Sequence, residues 1–208
     1  MMIFALMVLA FLIGGIPFGY LAGRIAMKDD IRNHGSGNIG ATNVARVLGW
    51  RWGSVVLVLD ALKGLCPVLI TKAVVTSESD GQLATHAAVL SGLAAVIGHM
   101  YPVYLKLRGG KGVATALGVV LVLGPIPSLI AFAAFAVVVG ITRIVGLGSL
   151  IASLVYTVAY FALNYKTAWE SNQISLTAFS LVIPALIIWR HRSNIRRLIH
   201  GEEKPLTP

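Results

Sequence analysis

Long stretches without a formal charge constrain this chain more than any other feature. No Lys, Arg, Asp or Glu occurs in residues 1–23, 81–105, 112–142, 144–165 or 171–189. A bilayer core about 30 Å thick needs roughly 20 apolar residues per helix. Lipid also offers no partner to an open backbone group, so such stretches cross as helices. Composition agrees: 57% of the 208 residues are hydrophobic and 12% charged, and mean hydropathy is +0.82. An average soluble domain carries about twice that charge share. The first stretch does not read as a cleavable signal, because nothing basic precedes Arg24. One cysteine, Cys66, excludes an intrachain disulfide. With no repeat or linker, residues 1–208 read as a single membrane domain.

The apolar pattern predicts spans at residues 2–23, 53–75, 85–105, 113–123, 126–142, 149–165 and 175–189. As one helix, residues 112–142 would run about 46 Å, too long without strong tilt, and Gly124-Pro125-Ile126-Pro127 interrupts them. Basic residues decide the count. Seven crossings put fourteen Lys and Arg on one side against Lys72 and Lys166 on the other, with Lys63 inside a span. One long middle helix would give nine against seven. The positive-inside rule therefore predicts an all-α integral membrane protein of seven helices, two of them short. Its N-terminus lies outside and its C-terminus in the cytoplasm, with residues 72–83 and 164–173 outside. The net charge of +9 suits cytoplasmic loops and anionic phosphates rather than nucleic acid.

Three polar segments fall on the predicted cytoplasmic face. The first holds Ser36, Gly37, Asn38, Gly40, Thr42 and Asn43, then Arg46. It matches G-x-G-x-x-G from Gly35, but the dinucleotide reading needs a preceding strand and a βαβ unit. Glycine still lets backbone amides approach an oxyanion, the short polar side chains add hydrogen bonds, and Arg46 offers a bidentate fork to phosphate. An ordinary polar loop with a helix cap explains the same residues. The second segment holds Arg108, Gly109, Gly110, Lys111 and Gly112. It lacks the first glycine of a P-loop, leaving a turn with one ammonium that can act as a point charge toward phosphate. A tight interhelical turn with basic anchors is the plainer alternative. In the third, His191 and Asn194 stand at i, i+3 on a helix continuing the last span, while Arg192, Arg196 and Arg197 suit lipid headgroups. Glu202 reads as an arginine partner. Asp60 and Lys63, i, i+3 inside the second span, read as a structural ion pair. His99 reads as an interhelical hydrogen-bonding residue. Ser149 reads as a helix cap at a depth that reaches a ligand.

Together the segments resemble the bacterial acyl-phosphate:glycerol-3-phosphate acyltransferase family. That family shows SGNxGATNxxR, GGKGVAT and HRxNIxRLxxGxE stretches, read here at residues 36–46, 109–115 and 191–202. The resemblance covers nearly the whole chain. It implies that the 1-hydroxyl of glycerol 3-phosphate attacks a fatty acyl phosphate, giving 1-acyl-glycerol 3-phosphate and inorganic phosphate. No metal, cofactor or obligate protein partner is implied, and the bacterial inner membrane is the implied location. By this resemblance Ser36, Arg46, Lys111, His191 and Asn194 are the catalytic candidates. Gly37, Asn38, Gly40, Thr42, Asn43, Gly109, Gly110, Gly112 and Ser149 are the phosphate-binding ones, and Glu202 is structural.

Other classes fit less well. Glycerolipid acyltransferases of the H-x-x-x-x-D type need an aspartate five residues after a histidine, and no histidine here has one. Phosphotransferases that use clustered metal-binding aspartates fail too, with only Asp29, Asp30, Asp60 and Asp80 present. A secondary transporter of a phosphorylated or organic anion remains the rival, although its site belongs near the midplane between repeats.

Overall fold

The computed structural model describes residues 1–76 and 81–206, and every regular element among them is a helix. Ser79, in the loop expected outside, and Thr207, in the tail expected inside, lie beyond the described residues. The chain forms two compact units, Met1–Val122 and Leu123–Pro208.

In the first unit, α1 (Met2–Gly15) and α2 (Phe18–Ala26) form one apolar stretch of 25 residues, Met2–Ala26. It counts as one candidate span, as expected, although Pro17 lacks an amide and the helix breaks at Ile16 and Pro17. The short α3 (Ala41–Leu48) precedes α4 (Trp50–Thr76). Then α5 (Gly81–Met100) leads through a 3₁₀ turn, Val103–Leu105, to α6 (Val113–Leu123). Small residues bring these helices close: a Cβ on Gly14 would overlap the Ala95 carbonyl, and one on Gly118 the Ala61 carbonyl. Thr71 donates to Ser91 at 2.8 Å between α4 and α5.

The second unit contains α7 (Pro125–Thr142), α8 (Val145–Asn164), α9 (Ile174–Arg190) and α10 (Arg192–Ile199). Gly148 lets α8 lie on Phe135 and Val139 of α7. Tyr160 pairs with Thr177 at 2.9 Å between α8 and α9, and Thr157 donates to the Ser180 carbonyl at 2.8 Å.

Five of these segments are long and apolar enough to cross a membrane, and α9 joined to α10 makes a sixth bent by 60°. The fold is that of a multi-pass helical membrane protein. Three expectations need correction. Only one of the two middle helices is short: α6 has 11 residues, about 16 Å, whereas α7 has 18. Ser149 is not a cap, because α8 starts four residues earlier and Ser149 donates back to the Val145 carbonyl at 2.9 Å. The last span does not continue straight through His191; the 60° bend occurs there.

Candidate active site

The first polar segment is organised from within. Asn43, in the first turn of α3, is buried and accepts the Ser36 amide at 2.7 Å. Its amide nitrogen donates to the carbonyls of Asn38 at 2.8 Å, His34 at 3.1 Å and Ile31 at 3.3 Å. The Gly37 amide donates to the His34 carbonyl at 3.1 Å and the Gly40 amide to the Asn38 side chain at 2.8 Å. Asn43, Asn38 and these loop amides, expected to hold phosphate, also hold the loop itself. Ser36 stays exposed, and Thr42 and Arg46, i and i+4 on α3, are half-buried. The amides of Ala41 and Thr42 begin α3, where a helix has no internal partner for its donors. Serine hydroxyl, first-turn amides and guanidinium suit an anion.

The acidic residues beside this loop are each engaged by a neighbouring side chain. Asp30 caps the Ile31–Asn33 turn and grips the Arg32 guanidinium, with its shortest contact at 2.6 Å. This holds the Asp30 carboxyl below its ordinary range and raises Arg32. Asp29 meets His34 Nε2 at 2.7 Å, and that hydrogen bond likewise lowers its pKa. Behind the loop, Ala22, Ile31, Ile39, Val44, Val56 and Leu105 form one buried cluster.

The second segment is a packed turn. The Gly109 amide donates to the Met100 carbonyl at 3.2 Å and the Gly110 amide to the His99 carbonyl at 3.1 Å. A Cβ on Gly110 would overlap the His99 ring, and one on Gly109 the His99 carbonyl and Pro102. Gly112, at φ +84°, presses on Met100. Gly109, Gly110 and Gly112, expected to cradle phosphate, also pack closely against the end of α5. Half-buried Lys111 sits among them, just ahead of α6.

In the second unit, His191 is buried at the joint of α9 and α10. Its Nδ1 lies 2.8 Å from the Ile187 carbonyl, which can only accept, so Nδ1 carries the proton and Nε2 the lone pair in neutral imidazole. Sequence proximity offered no group to fix that tautomer; the helix end supplies one. Asn194, also buried, donates to Glu203 Oε1 at 2.6 Å, and Glu203 Oε2 receives Arg197 Nε at 2.6 Å. Gly146 leaves room for this cluster, and Leu206 donates to the Arg143 carbonyl at 2.8 Å. The structural acid is therefore Glu203, not Glu202, which is exposed. Counted out, the final position of HRxNIxRLxxGxE also falls on Glu203. Arg197 belongs to this clamp rather than to lipid.

The model of the glycerol-3-phosphate acyltransferase family matches residues 4–201. The chain belongs to that family. A glycerol-3-phosphate acyltransferase of Syntrophotalea carbinolica is 48% identical over 200 residues, covering 96% of this chain and 95% of that one. One of Thermoanaerobacter pseudethanolicus is 44% identical over 199 residues, covering 96% and 93%. Among solved structures, PlsY (YgiH), an integral membrane glycerol 3-phosphate acyltransferase, matches in its glycerol 3-phosphate form. Its TM-score is 0.88 at 40% identity, over 100% of this chain and 96% of that one. Its lysophosphatidic acid form matches with a TM-score of 0.85 at 39% identity, with the same coverage.

Among the described residues, no group of three His, Cys, Asp or Glu side chains is placed to hold a metal ion. Sequence reasoning missed that Asp60, Lys63 and His99 form one buried group. Lys63 Nζ lies 2.9 Å from Asp60 Oδ1, and His99 Nδ1 lies 3.7 Å from the same oxygen. Spacing i, i+3 revealed the pair, whereas nothing in the sequence joined it to a histidine on another helix.

Proposed function

We propose that this chain transfers a fatty acyl group from acyl phosphate to the 1-hydroxyl of glycerol 3-phosphate. The products are 1-acyl-glycerol 3-phosphate and inorganic phosphate, as in the first step of phospholipid synthesis. The observation that carries this reading is the build of the first loop. Asn43 holds it from inside, so that exposed Ser36, the first amides of α3 and Arg46 are offered to a phosphate-bearing ligand. Membership of the family and likeness to PlsY in both forms support it.

The hydroxyl oxygen forms a bond to the acyl carbonyl carbon, the carbon–oxygen bond to phosphate breaks, and the departing phosphate takes the hydroxyl proton. An acyl phosphate is an activated mixed anhydride, so no covalent serine intermediate is required. Ser36 steadies developing oxyanion charge, and Arg46 and Lys111 neutralise phosphate. His191 and Asn194 hydrogen-bond substrate. Seven crossings, with the N-terminus outside and these segments facing the cytoplasm of the bacterial inner membrane, complete the proposal.

The test uses purified protein in lipid vesicles with acyl phosphate, labelled glycerol 3-phosphate and no coenzyme A. Labelled 1-acyl-glycerol 3-phosphate and free phosphate are expected. Labelled substrate crossing the vesicle without product would support an anion transporter instead.

A further inference from the structure

Asp60 and Lys63 are buried charges inside a membrane-spanning helix. Such a pair is costly to desolvate, and apolar replacements of a buried pair are often neutral or stabilising. Stability alone is therefore a weak reason for its presence.

Its contacts supply another reason. Lys63 Nζ donates to the Ile16 carbonyl at 2.8 Å and lies 5.6 Å from the centre of the Phe18 ring. Ile16 is at the break between α1 and α2, where an interrupted helix needs partners for its exposed carbonyls. The helix that follows supports the first loop directly: a Cβ on Gly19 would overlap the Ile39 carbonyl and crowd Val44. On the other side, Asp60 Oδ1 faces His99 Nδ1 at 3.7 Å. His99 holds the second segment at two points, through its carbonyl to the Gly110 amide and through its ring, which fills the space a Cβ on Gly110 would take. Lys111 is the next residue.

We propose that Lys63, Asp60 and His99 form a positioning chain that sets the Ser36 and Arg46 loop relative to the Lys111 turn. One buried link thus reaches the supports of both phosphate-binding segments. Neither Asp60 nor Lys63 touches substrate in this account; each acts through the backbone it anchors. The inference rests on the acyl-transfer reading, because it gives those two segments a shared ligand.

The paired variant Asp60→Leu/Lys63→Met removes both charges together and leaves no lone one. It is expected to fold, with a melting temperature near that of the parent. Its KM for glycerol 3-phosphate should rise on the order of tenfold, because displacements of about an ångström are costly at a reacting centre. Calorimetric titration with glycerol 3-phosphate alone should show the same weakening without any donor. His99→Gln, which keeps the carbonyl contact and loses the ring contact, should raise KM by a smaller factor and serves if the pair variant does not fold. A folded pair variant, or a folded His99→Gln, with the parent's KM and affinity would overturn the positioning role. If the parent itself binds glycerol 3-phosphate but makes no product, the acyl-transfer reading fails while the binding comparison still decides positioning. If the parent does not bind it, both fall.

Discussion

Around Asn43 the backbone weighs more: Gly35 and Gly37 take φ +60° and +72°, and although a Cβ on Gly35 would overlap the Asn43 side chain, one on Gly37 would meet nothing nearer than 3.4 Å. Around Lys111 packing weighs more: Gly110 has no positive φ, yet any side chain there would run into His99, and Gly112 combines φ +84° with close contact to Met100. The first loop is shaped by a polar side chain at its centre and keeps its outer surface open. The second is shaped by the helix end against which it is pressed. Two glycine-rich segments of similar composition therefore differ in what surrounds their glycines.

Removing the centre of the first loop should have the largest effect. Asn43→Ala deletes an acceptor for Ser36 and a donor shared by three carbonyls. A buried polar group left without a partner costs about 1–3 kcal/mol, so the combined loss is expected to exceed ~3 kcal/mol. Thermal unfolding in detergent should show it, and hydrogen exchange should rise across residues 31–43. Stability close to the parent's would mean that the loop holds its shape without Asn43.

Gly110→Ala should come next. Forcing a methyl group against the His99 ring costs about 1–3 kcal/mol in a packed interior. Because Lys111 adjoins it, the variant should also raise KM for the phosphate substrates, as measured by initial rates. A variant with the parent's melting temperature and KM would show that the turn yields freely and that packing does not explain its glycines.

Much of this was legible beforehand because charge is so costly in lipid that its absence marks a helix. The interruption at Gly124 and Pro125 was visible for the same reason, through residues that cannot continue a helix. The break at Ile16 and Pro17 was missed because both sides of it are equally apolar. The three polar segments were visible as segments, but inward and outward side chains were not separated. Asn43 has the residue type of a ligand contact and becomes a loop core only because the chain folds back around it. Glu203 and Glu202 are adjacent acids in an irregular tail, where no period shows which one faces Asn194.

Gly37→Ala sharpens the contrast from the other side. Space is available, so its cost is the backbone term of a left-handed conformation, about 1–2 kcal/mol. The melting temperature should fall modestly, and kcat/KM should stay near the parent's because the loop's internal hydrogen bonds remain. A KM increase matching that of Gly110→Ala would show that the two segments respond alike and would break the distinction.

The smallest effect should appear in acid. Asp29 and Asp30 have pKa values lowered by hydrogen bonds to His34 and Arg32. A carboxyl with a depressed folded pKa contributes stability that is fully present above its unfolded value, near pH 4, and is lost as pH falls through the folded value. The loop should therefore loosen below about pH 4. The Asp30 and Arg32 side chains are 23% and 30% exposed, and ion pairs near the surface contribute at most about 1 kcal/mol. Protection of residues 29–43 from hydrogen exchange, corrected for the intrinsic pH dependence of exchange, should decline in that window in the parent. Asp30→Asn should show a lower plateau and a flatter profile. The Lys111 turn, held by backbone carbonyls and packing rather than by exposed carboxylates, should keep its protection. If both segments lost protection together, their separate construction would not extend to their stability.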